Sequence, residues 1–251
     1  MTYCVGMLTE QGLVMIADTR TNAGVDNIST YKKLHILAET PDRLIVMATA
    51  GSLSMTQALR STLAEGLPPL EPDGPKRMLA DMPSMFRVAQ LVGEALTSVR
   101  QDIGRVLAGT TVSASVSLLL GGRVGDAPLQ LYLIYNEGNF IECSPDSPFL
   151  QIGELKYGKP ILDRTLMCHT PLEEAVKVGL LSFDATMRSN LSVGRPLDLT
   201  VVPNARQKPV IHYRIEPDDA YYNELSSDWG RLMMEARDAI ADPPFMMESP
   251  K

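Results

Sequence analysis

The chain has no C-x-x-C pair, and its three cysteines, Cys4, Cys143 and Cys168, are odd in number and far apart. Its three histidines, His35, His169 and His212, are equally scattered. Neither set has the short ligand spacing of a zinc site, so no metal and no cofactor is expected. Scattered, unpaired thiols fit a reducing compartment, and a cytoplasmic location is the expectation. No apolar run approaches the roughly 18 residues of a membrane span, so no membrane partner is expected. The first residues carry no basic segment, and Asp18 and Arg20 follow two short apolar runs split by Thr9, Glu10, Gln11 and Gly12, so no secretion signal is expected. Basic residues are also in deficit. Against 30 Asp and Glu stand 23 Lys and Arg, a net charge of -7, and without a basic stripe nucleic acid is not an expected partner.

What is present is an ordinary globular composition over 251 residues, 45% apolar and 21% charged, enough for a sizeable core. No linker, internal repeat or low-complexity tract divides it, so residues 1–251 are expected to form a single domain with a loose tail from about 243.

Residues 3–8 and 13–18 are two apolar runs joined by a short turn with Gly12, the pattern of a hairpin. Residues 31–37 and 43–49 follow as two further strands, with Lys32 and Lys33 at the start of the third. From Gly51 the period changes: Met55, Ala58, Leu59, Thr62 and Leu63 recur at helical spacing. A Pro- and Gly-rich loop over 67–75 leads to a second helix over about 86–107, with Val92, Leu96, Val99, Ile103 and Leu107 on one face. Residues 112–118 alternate strictly and predict a strand, as do 129–135 and 139–143. Helices are expected over 160–167 and from Leu172 to Met187, the latter capped by Thr170 ahead of Pro171. Strands at 197–202 and 210–215 precede a last helix over about 218–241, whose apolar face carries Tyr221, Leu225, Leu232, Ala236 and Ile240. Hairpin-linked strands with helices in pairs predict two antiparallel sheets packed together and helix layers outside.

The chemistry is suggested by the first strand beginning at once. With Met1 removed, Thr2 would carry both a hydroxyl and a free α-amino group whose ordinary pKa is about 7.7–8.0. Such an amine can take the hydroxyl proton near neutral pH. The device needs a nearby cation, a carboxylate to hold it, and backbone N–H groups aimed at the developing oxyanion. Asp18 ends the strand paired with that of Thr2, Lys32 and Lys33 lie at the next strand, and Gly51 sits where a strand passes into a helix.

Thr2, then "GLVMIADTRTNAG", "YKKLHIL" and "VMATAGS", together resemble the opening of a proteasome β-type subunit, most closely the bacterial ancestral β-subunit-like group, Anbu. The similarity extends over most of the chain, including "LLSFDATMRSNLSVG". It implies the four-layer αββα sandwich of N-terminal nucleophile hydrolases, and homo-oligomers in rings or open spiral rings. It implies Thr2 as nucleophile with its α-amino group as base, Asp18 holding Lys33, Lys33 tuning Thr2, and Gly51 giving an oxyanion N–H. Thr49, Ala50 and Leu53 would line the substrate cleft, and Thr21 and Ala23 would pair with an extended peptide or related amide. No unfoldase partner or ring size follows from the sequence.

The chain departs from that pattern in three ways. The spacing from Asp18 to Lys33 is one residue short. The supporting serine after a strand-end glycine is replaced by Glu154 in "QIGELKYG". The supporting Asp and Ser further on align with Asn190 and with Ser192 or Val193. Glu154 has two readings: a carboxylate that raises the pKa of the Thr2 amine, or a local cap of the following helix or partner of Lys156. Function likewise has three: a threonine peptidase, a small-molecule amidase on the same fold, or a catalytically silent ring subunit. Removal of Met1 is expected because Thr is small, and no propeptide is expected.

Overall fold

In a computed structural model the described residues are 2–22, 28–108 and 114–247. Contacts divide the chain into a unit ending at Glu216 and a second beginning at Pro217. In the first unit one five-stranded antiparallel sheet runs β10-β1-β2-β11-β12, built from β1 (Tyr3–Thr9), β2 (Gly12–Asp18), β10 (Phe149–Gly153), β11 (Leu197–Pro203) and β12 (Ile211–Ile215). The other runs β5-β6-β7-β8-β9, from β5 (Leu34–Thr40), β6 (Arg43–Gly51), β7 (Val116–Val124), β8 (Gln130–Ile134) and β9 (Phe140–Glu142). A small hairpin pairs β3 (Arg20–Asn22) with β4 (Ile28–Thr30).

The alternation of side chains sorts the layers. On β1, Tyr3 and Met7 face helix α4 (Leu172–Ser189), where the Tyr3 ring lies 4.5 Å from that of Phe183 and its hydroxyl is 2.6 Å from Ser182 Oγ. Met7 and Ile16 approach α4 closely at Gly179, where a Cβ would run into both. Cys4 on β1 and Leu13, Met15 and Ala17 on β2 face the other sheet, joining Leu44, Val46, Ala48, Ala50, Leu119 and Leu131 in the core between the sheets. On the far side, Ile45, Met47, Leu118 and Leu120 pack against α1 (Leu53–Glu65) and α2 (Met85–Leu107). Both faces of the central strands are therefore covered, which is why β1 and β2 are apolar on both faces. Each fully buried side chain of this kind contributes about 1.5–3 kcal/mol. Helix α3 (Lys159–Thr165) packs on α4. The expected αββα sandwich is the observed one.

Several boundaries differ from expectation. Tyr31, Lys32 and Lys33 precede β5 rather than opening it, because the chain first makes the β3–β4 hairpin. Of the alternating stretch over 112–118, residues 116–118 open β7 and 114 and 115 precede it; residues 112 and 113 lie outside the described residues, and the strand continues through Leu119, Leu120 and two glycines. Strand β10 was not among the strands read from periodicity; only the strand-end glycine of the resemblance, Gly153, pointed to it. Thr170 does not cap α4: its Oγ1 accepts from the Met167 amide at 2.8 Å, and Pro171 stands at the cap. Met85 is fully buried and Met82 packs on the helix-side core, so these methionines serve intramolecular packing.

In the second unit, α5 (Ala220–Ala239) is capped by Asp219, which accepts from the Tyr222 amide at 2.8 Å. Tyr221 and Leu232 on α5, and Ile240 just past its end, are exposed, whereas neighbouring Tyr222, outside the expected apolar face, is buried. A short α6 (Pro244–Met247) follows, and the last four residues of the expected loose tail, 248–251, lie outside the described residues.

One buried group gives the fold a pH dependence. His35 on β5 is opposite Met47 and turned toward the helices; it is 6% exposed, and its Nε2 has no hydrogen-bond partner among the described residues. Burial, then Arg60 and Lys32, push its pKa down to about 4, with Asp198 opposing. The unfolded chain thus binds this proton more readily than the folded one. Stability from this group is full above about 6.5 and falls as pH drops toward 4. Denaturant titrations should show a loss of about 1–2 kcal/mol between pH 7 and pH 5, and His35→Gln should flatten that slope. An equal slope in the variant would assign the loss to other groups.

Candidate active site

Thr2 stands immediately before β1, and both sides of its first peptide unit are held. Its carbonyl accepts from the Glu154 amide at 2.7 Å, and the next amide, that of Tyr3, donates to Asp18 Oδ1 at 3.1 Å. The ladder between β1 and β10 sets this register, with Tyr3 opposite Gly153. Gly153 has φ +86°, and a Cβ there would run into the Thr2 carbonyl. Glycine is needed at that point for both conformation and space.

Asp18, at the end of β2, is fully buried. Besides the Tyr3 amide, its Oδ1 receives the Lys33 ammonium at 2.8 Å. Lys33 also donates to the Arg20 carbonyl on β3 at 2.5 Å, so it ties β2, β3 and the start of β5 together. Burial pushes the Asp18 carboxyl up from its ordinary range; Lys33, the Tyr3 amide and the backbone of Gly194 pull it back. The nearby Cys4 thiol is pushed far up by burial and by Asp18, and donates to the Thr49 carbonyl at 3.6 Å. It is held as an inert thiol rather than a nucleophile.

Gly51 ends β6 at φ +118°, where a Cβ would meet the Ser115 carbonyl. The following Ser52 caps α1 by accepting from the Met55 amide at 3.4 Å, so the turn into the helix is made by the pair Gly51 and Ser52. Thr2, Thr21, Lys33, Thr49, Gly51 and Leu53 line one cavity of about 100 Å³. Lys32, the other member of the lysine pair, also lines it, as do Tyr31 and Thr56, which were not picked out from the sequence. Thr56 falls one helical step beyond Leu53 and Ser52, and Tyr31 abuts the lysine pair, so adjacency was the signal that could have found them. The Ala50 side chain does not line the cavity but packs in the core between the sheets. Ala23 lies outside the described residues.

Three further residues meet behind Thr2. Glu154 is buried; its Oε1 accepts from the Lys156 amide at 3.0 Å and its Oε2 from Asn190 Nδ2 at 3.0 Å. Asn190 closes α4, and its Oδ1 accepts from the Ser192 amide at 3.0 Å, while Val193 is buried beside it. Glu154 contacts Lys156 through the backbone and not as an ion pair. A larger groove of about 410 Å³ between β5 and β12 shares Lys32 but not Thr2 with the cavity.

The Asp18–Lys33 pair has a stability consequence. Removing one partner leaves the other charge buried, at a cost of about 3–5 kcal/mol. Lys33→Met should therefore destabilise strongly in urea titrations, and adding Asp18→Asn to it should restore part of the loss. A double variant no better than the single would contradict a buried ion pair.

No protein-family model matches the chain, and no curated protein does either. Solved structures do. Anbu from Hyphomicrobium sp. strain MC1 is 42% identical, with 96% of this chain and 99% of that one covered and a TM-score of 0.84. Anbu, the ancestral β-subunit, from Yersinia bercovieri is 39% identical over 96% and 98%, with a TM-score of 0.83. The helical assembly of the Anbu complex from Pseudomonas aeruginosa contains a chain 41% identical over 96% and 98%, with a TM-score of 0.87. Identity of this order over nearly the whole of both chains fixes the four-layer arrangement as the N-terminal nucleophile hydrolase fold, and the chain belongs to the Anbu family of proteasome-like ancestral β-subunit proteins.

Proposed function

We propose that the protein is an N-terminal threonine hydrolase that cleaves peptide or related amide bonds once Met1 has been removed. The observation that carries this reading is the clustering of Thr2, Lys33 and Gly51 on one cavity, with Asp18 buried behind Lys33.

In the proposed reaction the Thr2 hydroxyl oxygen attacks the amide carbonyl carbon while the α-amino group takes the hydroxyl proton. The Lys33 ammonium, held by Asp18, favours the alkoxide character that develops on the threonine oxygen. The Gly51 N–H stabilises the tetrahedral oxyanion. Collapse breaks the C–N bond, the leaving amine receives the proton from the α-ammonium group, and an ester on Thr2 remains. Water then attacks this ester, with the amine again taking a proton, and the threonine hydroxyl is released.

The cavity is small and walled by Thr21, Thr49, Gly51 and Thr56, which supports a modest side chain seated there with the rest of the substrate along the β3 segment. The setting proposed is cytoplasmic, with self-association of identical chains, supported by the helical assembly of the Pseudomonas aeruginosa relative.

A chain beginning at Thr2 should turn over short peptide amides, and Thr2→Ala should lower the rate at least ~1,000-fold, with a change in melting temperature of no more than a few degrees. A panel of peptides and small amides would set the substrate class. Full activity in Thr2→Ala would contradict the proposal.

A further inference from the structure

The carboxylate of Glu154 is an unbalanced charge. It is 6% exposed, its hydrogen-bond donors are neutral, and no lysine, arginine or histidine forms an ion pair with it among the described residues. A carboxylate removed from water is costly without a cation. Its own backbone amide donates to the Thr2 carbonyl at 2.7 Å, which sets Glu154 across the β1–β10 ladder from the residue whose α-amine becomes a cation when Met1 leaves. We propose that Glu154 is a positioning residue that holds the α-amino group of Thr2 as its charge partner, with Asn190 and the Lys156 amide fixing the carboxylate. The inference rests on the hydrolase reading for its catalytic meaning, but the contact itself does not depend on turnover.

The surroundings favour this assignment over a local brace. A brace would be satisfied by the Lys156 amide alone. Here Asn190 adds a bond from the end of α4, and its Oδ1 in turn holds the Ser192 amide. The same loop brings the backbone of Gly194 to Asp18. Arg20 braces it by donating to the Leu191 carbonyl at 2.8 Å. One short segment, 190–194, thereby sets both carboxylates that flank Thr2: Glu154 beyond β10 and Asp18 at the end of β2.

The charged groups around the amine are then Glu154 and Asp18, which favour its protonated form, and Lys33, which opposes it; Lys156 and the Arg20 guanidinium stand further along the same loops. Asp18 is already neutralised by Lys33, which leaves Glu154 as the dominant anion. Its charge raises the pKa of the amine. The amine must be neutral to act as base, so Glu154 shifts the rise of activity toward higher pH while orienting the lone pair.

The test uses the chain released at Thr2 from a cleavable fusion, its N-terminus checked by mass. The pKa of the amine is measured by competitive labelling with acetic anhydride across pH, reading the N-terminal peptide. Glu154→Gln should lower that pKa by about one, and Glu154→Asp, which keeps the charge but withdraws it by a methylene, should give an intermediate value. The second variant also serves if the amide variant fails to fold. An amine pKa that does not move in the folded variants overturns the proposal, even if they melt earlier. Loss of the hydrolase reading through an active Thr2→Ala would leave this titration, and what it says of Glu154, intact.

Discussion

The ion pair between Asp18 and Lys33 is the interaction around which this end of the molecule is organised. Oδ1 of Asp18 receives both the Lys33 ammonium and the Tyr3 amide. One buried oxygen therefore joins the start of β1, the end of β2 and the residue ahead of β5, and the second bond of Lys33, to the Arg20 carbonyl, brings in β3. Apolar side chains fill the space between the two sheets, and here a directional contact registers one against the other. A buried charge pair is weak as a source of net stability but strict about geometry, and that strictness is what the nucleophile proposed at Thr2 needs. A terminus is ordinarily loose. Thr2 is held instead by a carbonyl bonded to Glu154 and by a following amide bonded to Asp18.

The sequence made much of this legible, and particular residues show why. Strands β1 and β2 are apolar on both faces because α4 covers one and the second sheet the other, so their runs stood out even without alternation. Asp18, Lys33 and Gly51 could be placed because they sit at the ends of such runs. Strand β10 was hidden from periodicity: five residues with a proline before them and a glutamine in the middle carry little periodic signal. Its existence depends on pairing with β1, from the opposite end of a long stretch of chain. The Lys32–Lys33 pair looked like a strand start because the short β3–β4 hairpin leaves no apolar pattern of its own. Thr170 looked like a helix cap because Pro171 follows it, yet its hydroxyl closes the turn before the helix instead.

The site shows the same division. Residues proposed to act through their own chemistry were visible as a threonine, an aspartate, a lysine and a glycine in order. Residues whose place depends on tertiary contact were not, among them Tyr31 and Thr56 on the cavity wall and the Gly194 backbone beside Asp18. Ala50 fell on the opposite face from its neighbours because alternate residues of β6 point to opposite sides. Glu154 and Asn190 stood out as departures from a pattern, and the fold joins them by a hydrogen bond between the ends of β10 and α4.

The central claim is that the hydroxyl of Thr2 is the attacking atom. The most direct measurement is a crystal structure of the chain beginning at Thr2 after treatment with an amide-directed electrophile. The account predicts a covalent bond from Thr2 Oγ to the inhibitor, with the Lys33 ammonium and the Gly51 N–H within hydrogen-bond distance of the adduct. An adduct on another residue, or an unmodified Thr2 with its amine free, would contradict it.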